Sequence, residues 1–530
     1  MEELFWADQM ARTILKRERD LNRDTNTYRT EMGIGASGVP HIGSAGDGIR
    51  SYVVSLALQE QNVDTEFVAF SDDRDGLRRV PAGFPATLGQ DVGKPVSLID
   101  DPFGCHGSFG EHVSSLLVDA FEKLGVTFLL RHSHEEYAKG TFDNEIMEIL
   151  RKHKQAGEII KKITGQDKYL HQLPFLPICQ QCGRVYTTRA TAFDGTKIHY
   201  TCDISFTGKT STGELIHIDG CGYEGQCGIR DGKLAWKVEF ACRWRALGIH
   251  YEAYGKDILD SVRCNDAICS EILDHAEPLH SFYELFTERS GRKISKSAGN
   301  VFTPQMWLRY ASSESMRLLF LKKLATARVV DPDAIPAYMD EVDDLADVYF
   351  GKKKVANPTD LAHLRRLYEY VHFLKPPRHR PPAVRYQLLV NLMQLAKNSA
   401  VVLDILQRTG HVSQLNADEQ QQLLLRIQYV TNWIADTGKD ERADYVFSEG
   451  QRHALSTLAA ALKHKEWDEE SLTAFLFELS RKEGLRQNEF FEAAYSVLLN
   501  NTRGPRLSHL ILALDPRRVA DVIEEKLSRV

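Results

Sequence analysis

Two short stretches of the 530-residue sequence combine residue types that suit the binding of a phosphate chain. Residues 33–44 read Gly-Ile-Gly-Ala-Ser-Gly-Val-Pro-His-Ile-Gly-Ser, and their glycines let the backbone approach a ligand closely. Residues 291–300 place Lys293 and Lys296 among glycines and hydroxyl residues, a composition typical of a loop. Two cations on such a loop can stabilise charge that develops on a phosphate chain during reaction. A solvated turn has the same composition, so the function of this loop depends on a partner elsewhere in the chain.

The residues around the first stretch predict a nucleotide-binding turn. Residues 28–32 have the character of a strand and residues 45–60 that of a helix, so the order is strand, glycine loop, helix. The N-terminus of such a helix directs amide donors at an anion. This is the opening unit of a doubly wound α/β fold, and residues 65–70 predict its second strand. His41 at the mouth of the helix can donate to a phosphate oxygen, although a histidine beside proline is more often a turn residue.

A second α/β segment begins near residue 232. The strand-like run 249–254 leads into Gly255-Lys256-Asp257. Glycine at a strand end followed by aspartate suits a ribose, because the backbone can approach closely and the carboxylate accepts from a hydroxyl. We therefore expect the two glycine-containing turns to meet at one edge of a parallel sheet.

The order of these signals resembles that of the class I aminoacyl-tRNA synthetases. His41-Ile42-Gly43-Ser44 stands in the place of the first class signature and Lys293–Ser297 in the place of the second. Residues 71–81, 232–238 and 255–257 are similar to the class I lysyl-tRNA synthetases within that class. The resemblance implies a Rossmann-type doubly wound parallel sheet with an inserted zinc-binding region and an all-α C-terminal anticodon-binding part.

By the same resemblance, the chain is expected to attach L-lysine to tRNA(Lys) through a lysyl-adenylate, using ATP and Mg²⁺. The implied catalytic residues are His41, Gly43, Lys293 and Lys296. The implied ATP-binding residues are Ser37, Gly38, His41, Gly43, Ser44, Gly255, Asp257, Lys296 and Ser297, with Ser44 standing where many members have histidine. The implied lysine-binding residues are Gly33, Gly35, Trp236, Tyr254 and Tyr283. Residue spacing does not decide which carboxylate pairs with the lysine ammonium.

Two other functions stay open at this point. One is the same chemistry with another amino acid or a non-tRNA acceptor, which the departures at Ala36, Ser44 and residues 203–220 would allow. The other is a catalytically idle RNA-binding or regulatory protein. The intact Lys293 and Lys296 count against an idle protein.

Cysteine spacing predicts a structural zinc site. Cys179 and Cys182 form a CxxC corner followed by glycine, and Cys202 and Cys221 supply a second corner split by an 18-residue insert. Cys227 could replace either member of the second corner. A redox CxxC would normally sit in a thioredoxin-like unit, which nothing in the sequence suggests.

A second candidate metal site lies between residues 101 and 112. Asp101, Cys105, His106 and His112 could converge if the glycine-rich loop folds back. Similar lysyl-tRNA synthetases carry a metal cluster here, with a carboxylate where Cys105 stands, and a thiolate is an equally good zinc ligand. The alternative is a polar loop whose histidines cap the next helix.

Beyond about residue 335 the apolar spacing predicts helices only. Residues 361–408 carry an excess of basic side chains among aromatic ones, which suits phosphate contact and base stacking, although a solvated helix face has the same look. The candidate tRNA-binding residues are Arg365, Arg366, Arg378, Arg380 and Arg385.

Bulk properties limit the class of protein. The length predicts several domains, which we place at 1–165 and 232–335 for the two catalytic halves, 166–231 for the zinc-binding insertion and 336–530 for the anticodon-binding region. A net charge of −7 argues against indiscriminate nucleic-acid binding, and no apolar run is long enough to span a membrane. We expect a cytoplasmic monomer whose nine cysteines are thiols or metal ligands.

Overall fold

The computed structural model describes residues 5–23, 25–284, 286–287, 302–324, 326–438, 445–499, 502–504 and 506–528. It divides into two compact units. The first comprises Met1–Met306, Arg317–Asp331 and Ala356–Pro376, and the second comprises Trp307–Met316, Pro332–Val355 and Pro377–Val530. This division is coarser than the four segments predicted from the sequence, whose bounds stay a prediction. It places residues 356–376 with the first unit rather than with the later helices.

Fourteen strands occur in the described residues. In chain order they are β1 Tyr28–Ile34, β2 Thr65–Ser71, β3 Leu129–His132, β4 Phe175–Pro177, β5 Arg189–Phe193, β6 Ile198–Thr201, β7 Phe206–Lys209, β8 Leu215–Ile218, β9 Glu224–Cys227, β10 Gly232–Leu234, β11 Ile249–Gly255, β12 Leu279–Tyr283, β13 Phe286–Thr287 and β14 Arg328–Val329.

The same residues contain twenty α-helices. They are α1 Trp6–Asp20, α2 Ile42–Gln59, α3 Phe109–Lys123, α4 Ser133–Lys139, α5 Asp143–Arg151, α6 His153–Thr164, α7 Trp236–Leu247, α8 Leu259–Glu271, α9 Pro304–Tyr310, α10 Ser313–Leu321, α11 Ile335–Tyr349, α12 Pro358–Val371, α13 Tyr386–Ala396, α14 Ser399–Arg408, α15 Ala417–Thr437, α16 Glu449–His464, α17 Glu469–Lys482, α18 Gln487–Leu499, α19 Leu507–Leu514 and α20 Pro516–Ser528. None of them is long and apolar enough to cross a lipid bilayer.

A five-stranded parallel sheet forms the centre of the first unit. Its strand order is β12-β11-β1-β2-β3, and every neighbouring pair is parallel. β1 and β2 are buried along most of their length, as expected for strands covered by helices on both faces. The predicted Rossmann-type parallel sheet is confirmed.

Helix α2 packs so closely against α3 and β1 that a side chain at Gly48 would displace residues on both. A Cβ at Gly48 would lie 2.2 Å from Phe121 Cζ of α3 and 2.8 Å from Met32 Sδ of β1. The helix starts at Ile42, three residues earlier than predicted, so it follows His41 directly. The strand and helix predicted on either side of the glycine loop are thus present.

The predicted zinc region folds as small antiparallel sheets. Strands β5, β6 and β9 form one sheet, and β7 pairs with β8 in a hairpin. This hairpin lies within the 18-residue insert that separates Cys202 from Cys221. The insert therefore returns to its starting point: the amide of Cys202 donates to Tyr223 O at 2.8 Å, and the amide of Gly222 donates to Cys202 O at 2.9 Å.

In the described part of the second unit the regular elements are helices, as the sequence predicted. Three of them begin with a capping box, in which the N-cap side chain and the third helical residue satisfy each other's backbone donors. The N-cap residues are Asn416, Ser448 and Asp468.

Candidate functional site

A cavity of about 200 Å³ opens at the carboxyl ends of β1, β11 and β12 in the first unit. Ligands bind at this edge of open α/β sheets, because the strand-to-helix turns converge there. Ten residues predicted to bind ATP or lysine line the cavity: Gly33, Gly35, His41, Gly43, Ser44, Trp236, Tyr254, Gly255, Asp257 and Tyr283. Ser37 and Gly38 lie in the same β1–α2 turn but not in the lining. Lys293, Lys296 and Ser297 lie outside the described residues.

His41 is the N-cap residue of α2, with φ −100° and ψ 171°. Its imidazole covers the first helical turn: a Cβ at Gly43 would lie 2.7 Å from His41 Cε1 and 2.8 Å from His41 Nδ1. Only glycine at position 43 therefore allows this placement of the ring. Together with Ser44, these residues present an imidazole and the positive end of a helix to the same cavity.

Arg243 lies at the floor of the cavity and is surrounded by three carboxylates. Its Nη1 is 3.1 Å from Asp72 Oδ1, its Nη2 is 3.5 Å from Glu252 Oε1, and its Nε contacts Glu31. All four residues are buried, Arg243 at 2 % exposure and Glu31 at 0 %. The cluster therefore holds more acidic groups than basic ones in a place that water hardly reaches.

Burial shifts the titration of these acids. Burial raises the pKa of Asp72 to about 7, with Arg243 lowering it and Asp75 raising it further. Burial also raises the pKa of Glu31 well above its usual range, against the opposing effect of Arg243. Perturbed carboxyl groups in a cleft are frequent at functional sites.

Sequence reasoning missed this cluster. Glu31 and Glu252 lie in the segments 28–32 and 249–254, which the sequence predicts as strands, and Asp72 lies in the segment 71–81 that carries the family resemblance. A signal was available, because an acidic residue within a strand buried on both faces needs a partner.

Trp236 is held in the cavity wall by a second buried network. Its Nε1 donates to Asp75 Oδ2 at 3.1 Å, and Asp75 also pairs with Lys233. Lys233 Nζ lies 2.6 Å from Glu239 Oε2, and Tyr137 donates to the same carboxylate at 2.9 Å. The indole is thus fixed before any ligand arrives.

The far side of the cavity contains Tyr283 and the Gly255–Asp257 turn. The guanidinium of Arg50 lies 3.8 Å above the centre of the Tyr283 ring, so one ring face is already covered. Gly255 ends β11, and the next residue, Lys256, forms an ion pair of 2.7 Å with Glu284. Asp257 faces the cavity at this corner.

The four predicted zinc-binding cysteines come together. The ligand atoms of Cys179, Cys182, Cys202 and Cys221 all lie within 4.8 Å of one another. The Sγ atoms of Cys179 and Cys221 are 3.6 Å apart, and those of Cys182 and Cys202 are 3.8 Å apart. Tetrahedral zinc with bonds of about 2.3 Å separates its sulfurs by about 3.8 Å, so the cluster fits this ion. Cys227 is buried in β9 and is not one of the four.

Asp101, Cys105, His106 and His112 also converge. Cys105 Sγ lies 3.2 Å from Asp101 Oδ2, 3.1 Å from His106 Nδ1 and 3.3 Å from His112 Nδ1. These separations suit a small tetrahedral cation with one thiolate, one carboxylate and two imidazole ligands. Helix α3 is capped by Ser108, which accepts from the Glu111 amide, so the histidines are not needed as caps.

The candidate tRNA-binding arginines differ in their contacts. Arg366, in the first unit, pairs with Asp8, Glu60 and Glu369. In the second unit Arg380 pairs with Asp347 and Arg385 with Asp344. Arg365 and Arg378 are exposed and form no ion pair within the part of the chain that the structure describes. A role for these five residues in binding RNA stays a prediction.

Comparison with known proteins gives a consistent result along the whole chain. Residues 4–373 match the family described as tRNA synthetases class I (K). The chain is 38% identical over 529 residues to a lysine–tRNA ligase of Cenarchaeum symbiosum (strain A), covering 98% of each chain. It is 30% identical to a lysine–tRNA ligase of Natronomonas pharaonis, covering 98% of this chain and 96% of the relative. It is 29% identical to one of Rickettsia bellii (strain RML369-C), covering 98% of both.

Proposed function

Since this chain belongs to the family of class I tRNA synthetases, we propose that it attaches L-lysine to tRNA(Lys) in two ATP-dependent steps. In the first step a carboxylate oxygen of lysine attacks the α-phosphorus of ATP, and pyrophosphate leaves. In the second step a hydroxyl of the terminal ribose of the tRNA attacks the activated carbonyl, and AMP leaves. Neither step needs a nucleophilic side chain, so the protein acts by positioning its substrates and stabilising charge.

The observation that carries this proposal is the buried acidic cluster beside an aromatic cavity wall. Lysine has an apolar stem and a cationic end, and the cavity offers Trp236 and Tyr254 for the stem. Asp72 and Glu252 face the same cavity and supply carboxylate oxygens for the ammonium. A negatively charged, nearly dry site favours a cation and disfavours a neutral side chain of similar size.

The turn between β1 and α2 receives the phosphates of ATP. His41, Gly43 and Ser44 lie where the positive end of α2 meets the cavity. Gly255 and Asp257 at the end of β11 receive the ribose, with Asp257 accepting from its hydroxyl groups. Lys293 and Lys296 are assigned to the pyrophosphate from the sequence alone. Mg²⁺ bound to ATP would neutralise phosphate charge.

Zinc fits both clusters and has a structural role in each. Cys179, Cys182, Cys202 and Cys221 would hold one ion, which would tie the two ends of the β7–β8 hairpin to the CxxC corner. Asp101, Cys105, His106 and His112 would hold the other and fix the loop before α3. We expect mass spectrometry of metals to find at least two zinc ions per chain, one for each of these two clusters. Cys182→Ser is expected to remove one of them and leave the other.

The helical second unit is assigned to anticodon recognition, and the candidate arginines to contacts with tRNA phosphates. The protein is expected to act in the cytoplasm as a monomer, which light scattering of the purified chain can check. Arg378→Ala tests the tRNA contact. It should raise KM for tRNA and leave lysine-dependent pyrophosphate exchange, measured at saturating tRNA, unchanged.

Exchange of labelled pyrophosphate into ATP tests the proposed function directly. It is measured with each of the twenty amino acids, with and without tRNA, followed by charging of purified tRNA(Lys) with labelled lysine. We expect exchange and charging with lysine only. Exchange with a different amino acid identifies a protein that has changed its substrate, and no exchange with any amino acid identifies a catalytically idle one. Either result overturns the proposal.

A further inference from the structure

Outside the two clusters already described, a third group of metal-ligating side chains lies at the carboxyl edge of the sheet. It consists of Asp73, His132 and His134, whose ligand atoms lie within 4.8 Å of one another. From its geometry we propose that this group is a further metal site, which binds one divalent transition-metal ion such as Zn²⁺.

The three residues are brought together by two neighbouring strands. Ser71 at the end of β2 pairs in register with His132 at the end of β3, and Asp73 follows two residues after Ser71. His134 lies at the start of α4, two residues after His132. Main-chain contacts hold the segment, since the amide of Ser97 donates to Asp73 O at 2.8 Å. The ligands are therefore on rigid elements rather than on a free loop.

The donor atoms of the three side chains lie close together. Asp73 Oδ2 lies 2.8 Å from His132 Nδ1 and 2.7 Å from His134 Nδ1. The other oxygen, Oδ1, accepts from the His134 amide at 2.9 Å, which fixes the carboxylate plane. Donor atoms around tetrahedral zinc are separated by about 3.4 Å, so the three must open by roughly 0.6 Å to admit the ion. Rotation of the two rings about their side-chain bonds is the movement that the proposal requires.

Each imidazole can exchange its hydrogen bond to Asp73 for a bond to the metal ion. Each ring faces Asp73 Oδ2 through its Nδ1 at hydrogen-bond distance, 2.8 Å for His132 and 2.7 Å for His134. In the metal-free protein each Nδ1 carries a proton that it donates to Asp73. Binding of the ion needs that proton removed or moved to Nε2, after which Nδ1 donates its lone pair to the metal. A ring that is already neutral needs only the tautomer change and releases no proton.

Access and ligand type favour a transition metal. Asp73 is buried, whereas the side chains of His132 and His134 are 17 % and 34 % exposed, so an ion can enter from solvent and retain water ligands. Two imidazoles and one carboxylate suit zinc and related ions better than Mg²⁺ or Ca²⁺, which prefer oxygen ligands. Asp73 adjoins Asp72 of the cavity, so an ion here would fix the segment that carries one wall of the proposed lysine site.

Zinc content of full-length variants tests the site. Wild type, His134→Gln and the control His171→Gln are dialysed against micromolar free Zn²⁺, and bound metal per chain is measured by mass spectrometry. Glutamine keeps a polar hydrogen-bond donor at this position but is a poor zinc ligand, so the variant removes one metal ligand without leaving an apolar side chain beside Asp73. We expect one zinc ion fewer in His134→Gln than in wild type and no change in His171→Gln. Equal metal content in all three proteins overturns the site.

Anomalous diffraction from the wild-type protein tests the same metal site without a variant. Wild-type crystals soaked in the same zinc solution are measured on both sides of the zinc absorption edge. An anomalous difference peak bonded to Asp73, His132 and His134 supports the proposal. Its absence, with zinc present at the cysteine cluster in the same crystal, refutes it. The outcome does not depend on which amino acid the enzyme activates.

Discussion

Replacing Arg243 by methionine removes the cation from the acidic cluster while keeping most of the side-chain volume. Glu31, Asp72 and Glu252 are then left buried with no guanidinium beside them. Breaking a buried ion pair by removing one partner typically costs about 3–5 kcal/mol. We expect a loss of this size in the free energy of unfolding at pH 8.

The loss should depend on pH in a direction that the structure dictates. In wild type Asp72 has a pKa of about 7 and ionises beside Arg243 above that pH. Without Arg243 the carboxyl group stays protonated in the folded protein but ionises in the unfolded chain. The unfolded state then binds fewer protons than the folded state, so the variant loses stability relative to wild type by about 1.4 kcal/mol per pH unit for each such group. Below about pH 7 Asp72 is protonated in the folded form of both proteins, so there the destabilisation does not change with pH. It grows from pH 7 to pH 8, where only the wild type ionises Asp72 in the folded state.

Urea unfolding followed by tryptophan fluorescence measures both effects, with Arg243→Lys as the control. Lysine keeps the charge and loses the forked hydrogen bonds, so its loss should be smaller and less dependent on pH. Two results would refute the reasoning. One is a loss below about 1 kcal/mol at pH 8 in Arg243→Met, well under the cost of breaking a buried pair. The other is an equal loss at pH 6 and pH 8, which would show that the carboxylates are not titrating against Arg243.

Three further predictions concern catalysis. Glu252→Gln should raise KM for lysine about 10- to 150-fold, which corresponds to the loss of a hydrogen bond to a charged group. KM for ATP should stay within about twofold of wild type. Equal rises in both constants would contradict the assignment of Glu252 to the lysine ammonium. In wild type KM for lysine should fall between pH 6 and pH 8 as Asp72, with a pKa of about 7, becomes ionised, and Asp72→Asn should flatten that profile. Gly43→Ala should lower kcat by about 100-fold with little change in Tm, because the new Cβ would displace the His41 ring. An unchanged kcat would remove His41 from the mechanism.

The elements that carry the ATP-binding turn could be predicted from the sequence because their signals are local. Hydrophobic runs and the intervening glycines marked β1, α2 and β2 within a few residues of their observed bounds. The start of α2 was placed three residues late because Gly43 and Ser44 look like loop residues. Inside the helix Gly43 leaves room for the His41 ring, a contact that composition does not reveal.

The cysteine cluster could be predicted only in part. The CxxC corner is a local pattern, but the choice between Cys221 and Cys227 depends on how the residues between them and Cys202 fold. The β7–β8 hairpin brings its two ends together and so selects Cys221. Strand pairing of this kind is set by contacts across the insert, which spacing alone does not give.

A buried acidic residue in a strand indicates that a partner is needed, but the sequence does not show which residues form the acidic cluster, because they come from distant parts of the chain. The register of the sheet pairs Glu31 on β1 with Glu252 on β11, so two buried acidic residues lie side by side on neighbouring parallel strands. Burying two acidic groups in that position opposes folding, and one arginine compensates only part of the cost. The arrangement adds nothing to the stability of the fold. It does suit a site that must bind a cation. The ammonium of a bound lysine would add positive charge beside these acids, which connects the cost of burying them with the selection of the substrate.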